Sequence, residues 1–115
     1  MKLYVAGPMS NRPHHGYPAF HIAEEELRAA GYDVVNPARL DAQTPWDDSR
    51  ERWGDCIVRD IAALNTCDGL ALLPGWMNSP GAQVEHVFAE GKQIPIAYVD
   101  YWLEVTEMKE EFGNV

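Results

Sequence analysis

The sequence is poor in cysteine and in basic residues. It has two cysteines in 115 residues, Cys56 and Cys67, and their spacing fits no zinc-binding or redox motif, so we expect reduced thiols and no metal site. Nine Lys and Arg residues stand against 18 Asp and Glu residues, which gives a formal net charge of -9. Because nucleic-acid polymers are bound by clustered cations, this charge balance argues against DNA or RNA as the main partner.

Long apolar segments are also missing. No stretch approaches the roughly 20 apolar residues that a membrane-spanning helix needs. The short apolar run in "MKLYVAGPMS" predicts a strand and not a signal peptide, so we expect a cytoplasmic protein without a membrane partner. The length predicts one domain, 1–115, and its small core favours a homodimer or a higher homo-oligomer.

Short apolar runs alternate with helical patterns along the chain. Strands are predicted at 3–6, 32–37, 68–74 and 94–99, and helices at 18–30, 49–64 and 81–90, with a last short helix or tail at 104–112. Gly31 and Gly91 are the expected helix stops, and Ser49 or Asp48 is the expected cap of the second helix. This order predicts an α/β fold, namely a doubly wound parallel sheet of four to five strands, flavodoxin- or Rossmann-like, with helices on both faces.

In such a sheet, ligands bind beyond the carboxyl ends of the strands. The segments expected there are 7–16, 36–48 and 74–81. The first is not the dinucleotide fingerprint G-x-G-x-x-G, and Pro8 removes one N–H donor, so a dinucleotide site of the usual kind is rejected. Ser10 and Arg12 remain as candidate donors in this loop. The second segment is irregular, polar and long enough to be a functional loop.

Two carboxylates are candidate catalytic groups. Glu85 lies just past the first turn of the helix predicted to start at Gly81, where the helix end favours an ionised carboxylate that can act as nucleophile or base. Asp60 lies beside the apolar face of the preceding helix. A pair with one ionised carboxylate and one that carries a proton is what glycosidic cleavage requires. Each residue also has a structural interpretation, as a helix-end charge or a solvated side chain.

Tryptophan is frequent for a chain of this size, with four residues. Trp46, Trp53 and Trp76 lie in or near predicted loops, where they can stack on a planar base or belong to a core or an interface. Stacking accepts every base, so the identity of the base is left open.

Three segments together resemble the nucleoside 2-deoxyribosyltransferase superfamily: "LYVAGPM", "RDIAALNTCDGLALLPG" and "SPGAQVEHVFAEGKQIPI". The resemblance covers roughly residues 2–99. It is strongest to small phage-type members and extends to the 2′-deoxynucleoside 5′-monophosphate N-glycosidases. It implies an enzyme of nucleotide metabolism that needs no cofactor and acts on a small deoxynucleotide or deoxynucleoside.

The resemblance also implies roles for individual residues. Glu85 matches the nucleophile that attacks C1′ of the deoxyribose and forms a covalent intermediate. Asp60 matches the aspartate that holds the sugar and helps to protonate the leaving base. Tyr4 matches a tyrosine near the nucleophile, and Gly7 matches a glycine that makes room for the substrate.

Ser79 carries the implied choice of substrate. The matching position resembles an aspartate in transferases that act on free nucleosides and a serine in the monophosphate hydrolases. A hydroxyl and the N–H groups at a helix start attract a phosphate, whereas an aspartate repels it. Gly81 opens this helix and is counted with the substrate-binding residues, as are Ser10 and Arg12. In the first loop, Pro8 replaces a small polar residue of the hydrolase pattern.

Several functions remain open at this point. The favoured one is hydrolysis of the N-glycosidic bond of 2′-deoxynucleoside 5′-monophosphates. A transferase that exchanges bases on free deoxynucleosides is the first alternative. A nucleotide-binding module without catalysis is the second, although such a module has no need of paired carboxylates. NAD or a related nucleotide as the substrate is a third, made less favourable by the missing fingerprint.

Overall fold

The computed structural model describes residues 1–9, 16–43 and 49–112, with side chains described up to residue 108. The strands are β1 (Lys2–Ala6), β2 (Asp33–Val35), β3 (Gly69–Leu72) and β4 (Ile96–Tyr98). The helices are α1 (Tyr17–Ala29), α2 (Pro37–Asp41), α3 (Arg50–Leu64), α4 (Pro80–Lys92) and α5 (Val99–Phe112), with a 3₁₀ turn at Trp76–Asn78. Among these helices, none is long and apolar enough to cross a membrane.

The four described strands form one parallel sheet in the order β2-β1-β3-β4. Tyr4 of β1 pairs with Val35 on one side and with Leu70 on the other, and Leu70 pairs in turn with Ile96. The chain therefore builds outward from β1 in both directions, and the strand order reverses between β1 and β3. The predicted α/β fold is confirmed, and a ligand crevice is expected at the carboxyl end of β1.

Alternate residues of β1 face opposite sides of the sheet, and both sides are buried. Leu3 and Val5 pack in a cluster with residues of α1 and α5. Tyr4 and Ala6 pack in a second cluster with residues of α3 and α4. This alternation places the Tyr4 side chain on the face that carries α4.

Helix α1 follows the predicted apolar pattern closely. Phe20, Ala23 and Leu27 are buried on one face. Pro18 lies in the first turn, and Gly31 follows the helix end in the left-handed region at φ +101°. A residue with a Cβ is strained in that conformation, which explains why the helix stops at a glycine.

The segment predicted to be irregular begins instead with helix α2. The side chain of Asn36 accepts a hydrogen bond from the N–H of Ala38 and caps this helix, and Pro37 occupies its first position. Both residues suit a helix start. The helix has only five residues, which is too short for an apolar period to appear in the sequence.

Two predicted helix boundaries were also wrong. Helix α4 continues past Gly91 to Lys92 and ends where Gln93 adopts a left-handed conformation at φ 63°. Helix α5 begins at Val99, not near residue 104. Its first turn buries Val99 and Trp102, and Trp102 Nε1 donates a hydrogen bond to the carbonyl oxygen of Leu70 in β3, at 3.1 Å. The last helix is therefore part of the core.

Candidate active site

A cleft of about 360 Å³ opens at the carboxyl end of β1, where the strand order reverses. Its walls come from the loop that follows β1, from α2, from the first turns of α3 and from the segment 78–85 that begins α4. The sequence predicted the loop after β1, the segment that contains α2 and the segment before α4 for the ligand end of the sheet, but not the wall formed by α3. The described part of the second loop contributes through α2.

Glu85 lies in the second turn of α4 and is only 5% exposed. The hydroxyl of Tyr4 donates a hydrogen bond to Glu85 Oε2, whereas no described residue bonds to Oε1. Burial raises the pKa of Glu85 to about 8, and this effect outweighs the lowering by the Tyr4 hydrogen bond. The negative charges of Asp60 and Asp41 raise the pKa further.

The sequence indicated an ionised Glu85, and the structure corrects this expectation. Helix α4 begins at Pro80, so Glu85 lies beyond the first turn, where the charge of the helix end has largely faded. Burial therefore favours the protonated form of Glu85. Tyr4 remains a hydrogen-bond donor, because burial and then the neighbouring Glu85 and Asp60 raise its pKa well above the ordinary value.

Asp60, on the third turn of α3, is also buried and lines the same cleft. Its neighbour Arg59 donates to Asp60 Oδ1 twice, from Nε at 3.0 Å and from Nη2 at 2.8 Å. Burial raises the pKa of Asp60 to about 6, although Arg59 lowers it. Asp60 is thus not a solvated surface residue, and the two candidate carboxyl groups are electrostatically coupled.

Asp41, at the end of α2, is a site residue that the sequence reasoning missed. It is 6% exposed and lines the cleft. Asp41 Oδ1 accepts a hydrogen bond from Arg59 Nη2 at 2.5 Å, and Oδ2 accepts one from the Tyr17 hydroxyl at 3.3 Å. The sequence signal that pointed to Asp41 was its position in a polar segment expected at the carboxyl end of the sheet, where ligands bind.

Ser79 and Gly81 both line the cleft, as predicted for substrate-binding residues. The Ser79 Oγ accepts a hydrogen bond from the N–H of Ala82 at 3.3 Å and caps α4. A Cβ built on Gly81 would lie 3.4 Å from the Ile57 side chain, so the site has space for a small side chain.

Gly7 also lines the cleft, but packing alone explains why it is a glycine. A Cβ at this position would lie 2.7 Å from the Leu73 Cβ, which is closer than real contacts allow. The loop after β1 can therefore approach the end of β3 only without a side chain at residue 7.

The remaining predicted residues fall into two groups. Ser10, Arg12 and Trp46 lie outside the described residues. Trp53 lines the cleft and is 47% exposed, whereas Trp76 stacks on His86 with ring centroids 4.4 Å apart. Of the three tryptophans suggested for base stacking, Trp53 is thus the described one that faces the cleft.

Arg52 is a second residue that the sequence reasoning missed. It lines the cleft from the first turn of α3 and brings a positive charge to a site that contains Asp41, Asp60 and Glu85. The available signal was its position one turn before Cys56, another cleft-lining residue. A cation here is relevant to any anionic substrate.

The cysteines and the metal-binding potential of the chain can be described briefly. Cys56 and Cys67 are free, and burial raises the pKa of both thiols. No group of three or more His, Cys, Asp or Glu side chains within residues 1–9, 16–43 and 49–112 is arranged to hold a metal ion.

Comparison with protein families places this cleft in a wider context. Residues 1–98 match the family model described as Domain of unknown function (DUF4406). The chain belongs to the DUF4406 family. The DUF4406 match runs from β1 to the end of β4 and includes every described residue that lines the cleft, whereas α5 lies beyond it. A search of curated proteins found no match.

Proposed function

We propose that the protein cleaves the N-glycosidic bond of 2′-deoxynucleoside 5′-monophosphates, with Glu85 as the nucleophile and Asp60 as the proton donor. The observation that carries the proposal is the pair itself. Glu85 and Asp60 are both buried residues that line one cleft, and each has one carboxyl oxygen to which no described residue bonds. Burying two such groups together destabilises a fold, and such a cost is typical of functional sites.

The first step breaks the bond between the base and the sugar. Glu85 Oε1 attacks C1′, a C1′–O bond forms, and the electron pair of the C1′–N bond leaves with the base. Asp60 supplies a proton to the departing base from Oδ2, the oxygen that Arg59 leaves unbonded. The Tyr4 hydroxyl stabilises the ionised form of Glu85 by a hydrogen bond. The positive charge that develops at C1′ stabilises it as well.

The second step restores the protein. Asp60, now ionised, takes a proton from water as the water oxygen attacks C1′, and Glu85 leaves. The pair thus needs one proton in total at the start of the cycle. With a pKa of about 6 for Asp60 and about 8 for Glu85, the coupled pair holds one proton between these two pH values. In the reactive form, Asp60 carries this proton and Glu85 is ionised.

The preference for a monophosphate rests on two further residues that line the cleft, Ser79 and Arg52. Ser79 already accepts a hydrogen bond from Ala82, which leaves its own hydroxyl hydrogen to donate to a phosphate oxygen. The guanidinium of Arg52 is a cleft-lining cation that favours an anionic group over a neutral hydroxyl. The net charge of the chain repels anions at long range, so a phosphate must be recognised by such local contacts.

Base release from a panel of substrates tests the proposal. We expect the protein to release free base from 2′-deoxynucleoside 5′-monophosphates and to release little base from the corresponding deoxynucleosides. Chromatography of the reaction mixture measures the released base. Base exchange between free deoxynucleosides and an added base would identify a transferase instead. Binding of nucleotides without any base release would identify a binding module.

Ser79→Asp is the sharpest variant for the phosphate contact. Aspartate also caps a helix, so α4 is retained, but its charge repels the substrate phosphate. We expect kcat/KM for the monophosphate to fall at least about 100-fold, which corresponds to about 2.7 kcal/mol. Ser79→Thr is the matched control, since it keeps both the cap and the hydroxyl. Equal losses in the two variants would contradict a phosphate contact at Ser79.

A further inference from the structure

Arg59 and Asp60 make an uncommon contact for neighbours on a helix. Adjacent residues of an α-helix point about 100° apart and do not normally face each other. Here the guanidinium of Arg59 folds back onto Asp60 Oδ1, and its Nη2 also donates to Asp41 Oδ1 on α2. Asp41 therefore draws the Arg59 side chain to the position from which it reaches Asp60.

We propose that Asp41 is a positioning residue of this site, which acts through Arg59 to hold Asp60 with Oδ1 bonded and Oδ2 free to carry the proton. The catalytic role of Asp41 rests on the proposed function, whereas its effect on the position of Arg59 and Asp60 does not. Asp41 has no role as nucleophile or acid, because both of its oxygens are already occupied by Arg59 and Tyr17.

Charge compensation is the second part of this role. An aspartate that touches an arginine alone is normally held ionised, with its pKa lowered by one to three units. Burial instead raises the pKa of Asp60 to about 6 in spite of Arg59, and the negative charge of Asp41 adds to the increase. Asp41 and Arg59 together are close to neutral, so Asp60 gains the orienting hydrogen bonds without losing its ability to hold a proton.

Each described element packed around Asp60 contributes charged or titratable groups. They are Arg52, Cys56 and Arg59 on α3, Asp41 on α2, Glu85 on α4, Tyr4 on β1 and, through Asp41, Tyr17 on α1. Of these, Asp41 and Arg59 are joined to each other by the 2.5 Å contact, so changing either one alters the effect of the other.

The placement of Asp41 is fixed from outside the cleft. Asn36 caps α2, and its side chain donates to the buried Glu24 at 3.0 Å. Arg39, in the middle of α2, donates to the same Glu24 oxygen at 2.6 Å. These contacts hold α2 against α1, and Asp41 is the last residue of that helix.

Titration of the Asp60 carboxyl by carbon-13 NMR tests the inference without any need for activity. In Asp41→Asn, which is nearly isosteric, the charge of Arg59 is no longer compensated, so we expect the Asp60 titration to move down by about one pH unit. In Arg59→Gln it moves up. In the double variant it returns close to the wild-type value, because the two changes act on one network.

Asp33→Asn is the matched control, since Asp33 is exposed at the start of β2, away from the carboxyl edge of the sheet. It leaves the Asp60 titration unchanged. If base release is present, Asp41→Asn also lowers kcat about tenfold above pH 7, in proportion to the lost protonated fraction, with little change in KM.

The outcomes separate the two proposals. An Asp60 titration that is the same in folded Asp41→Asn as in wild type overturns the positioning role. Shifts of the same size and direction in Asp41→Asn and Arg59→Gln overturn it as well. Absence of base release from every nucleotide, with the titration shifts as expected, overturns the proposed function but supports the network. Arg59→Lys, which keeps the charge but loses the two-nitrogen contact, provides a second folded variant and is expected to lower kcat with a smaller titration shift.

Discussion

Burial of Glu85 works against the ionised form that a nucleophile must reach. The raised pKa of this residue means that folding is penalised once the pH exceeds its unfolded value of 4.5, and the penalty grows until pH reaches about 8. A residue selected for stability alone would avoid this penalty. The Tyr4 hydrogen bond lowers the penalty without removing it.

Glu85→Gln is therefore expected to separate stability from activity. The stability advantage of the variant is absent near pH 4, appears above pH 4.5 and reaches on the order of 4 kcal/mol at pH 8, because glutamine cannot ionise. Base release is abolished at every pH. Urea unfolding at pH 4 and pH 8 measures the first effect. Glu90→Gln, on the same helix but exposed, is the control; a Glu85→Gln variant no more stable than this control at pH 8 would contradict the account.

The coupled pair also predicts a bell-shaped pH profile. Below about pH 6 both carboxyl groups are protonated and no nucleophile is present, and above about pH 8 both are ionised and no acid is present. The kcat/KM profile reports the groups of the free protein, and it is corrected for the phosphate of the free nucleotide, which also titrates near pH 6. A rate that rises steadily to pH 10 would rule out the proton donor.

At the scale of elements, helix α2 connects the buried Glu24 to the cleft. Its cap, Asn36, bonds to Glu24, and its last residue, Asp41, bonds to Arg59. Burial would raise the pKa of Glu24, but hydrogen bonds from Arg39, Asn36 and Arg28 lower it to about 2. The network thus contributes stability that is fully present above pH 4.5 and is lost as the pH falls towards 2.

Asn36→Ala is the variant that tests this connection. It removes both the cap of α2 and one hydrogen bond to Glu24, so we expect a loss of about 2 kcal/mol in unfolding free energy. Activity is also expected to fall, because Asp41 is no longer held in hydrogen-bond contact with Arg59. Asn36→Asp is the control for the cap, since aspartate caps a helix as well but cannot donate to Glu24. A variant with unchanged kcat would show that α2 is not needed to order the site.

The elements also differ in how well the sequence predicted them. The buried face of α1 was predicted correctly because Phe20, Ala23 and Leu27 repeat with the helical period. The start of α5 was missed because Val99 continues the apolar run of β4 and is read as strand. Asp41 was missed because its partner Arg59 is 18 residues away, and only tertiary packing brings the two together. Glu85 was identified as a candidate from the order and spacing of the three matching segments. Its protonation depends on its burial, which cannot be predicted from the sequence.

At the scale of the whole molecule, α5 covers part of one face of the sheet although it lies beyond the DUF4406 match. Trp102 is buried against Gly69, where an added Cβ would lie 3.1 Å from the indole ring. The indole also satisfies the carbonyl oxygen of Leu70. This packing supports β3, the strand that leads to the 3₁₀ turn and to the start of α4.

Trp102→Ala is accordingly expected to cost about 3–5 kcal/mol in unfolding free energy, measured by chemical denaturation. Trp102→Phe keeps most of the apolar area but loses the hydrogen bond to Leu70, and a loss of about 1–2 kcal/mol is expected. If Trp102→Ala were as stable as wild type, α5 would be an appendage and not a part of the core.

Trapping of the glycosyl intermediate tests the central claim most directly. A 2′-fluorinated nucleoside 5′-monophosphate slows release of the sugar from the protein, because fluorine destabilises positive charge at C1′. Intact-mass and tandem mass spectrometry are expected to find the fluorosugar phosphate attached to Glu85 in wild type, with one equivalent of base released, and no adduct in Glu85→Gln. Base release that persists in Glu85→Gln, or an adduct on any other residue, would contradict the account.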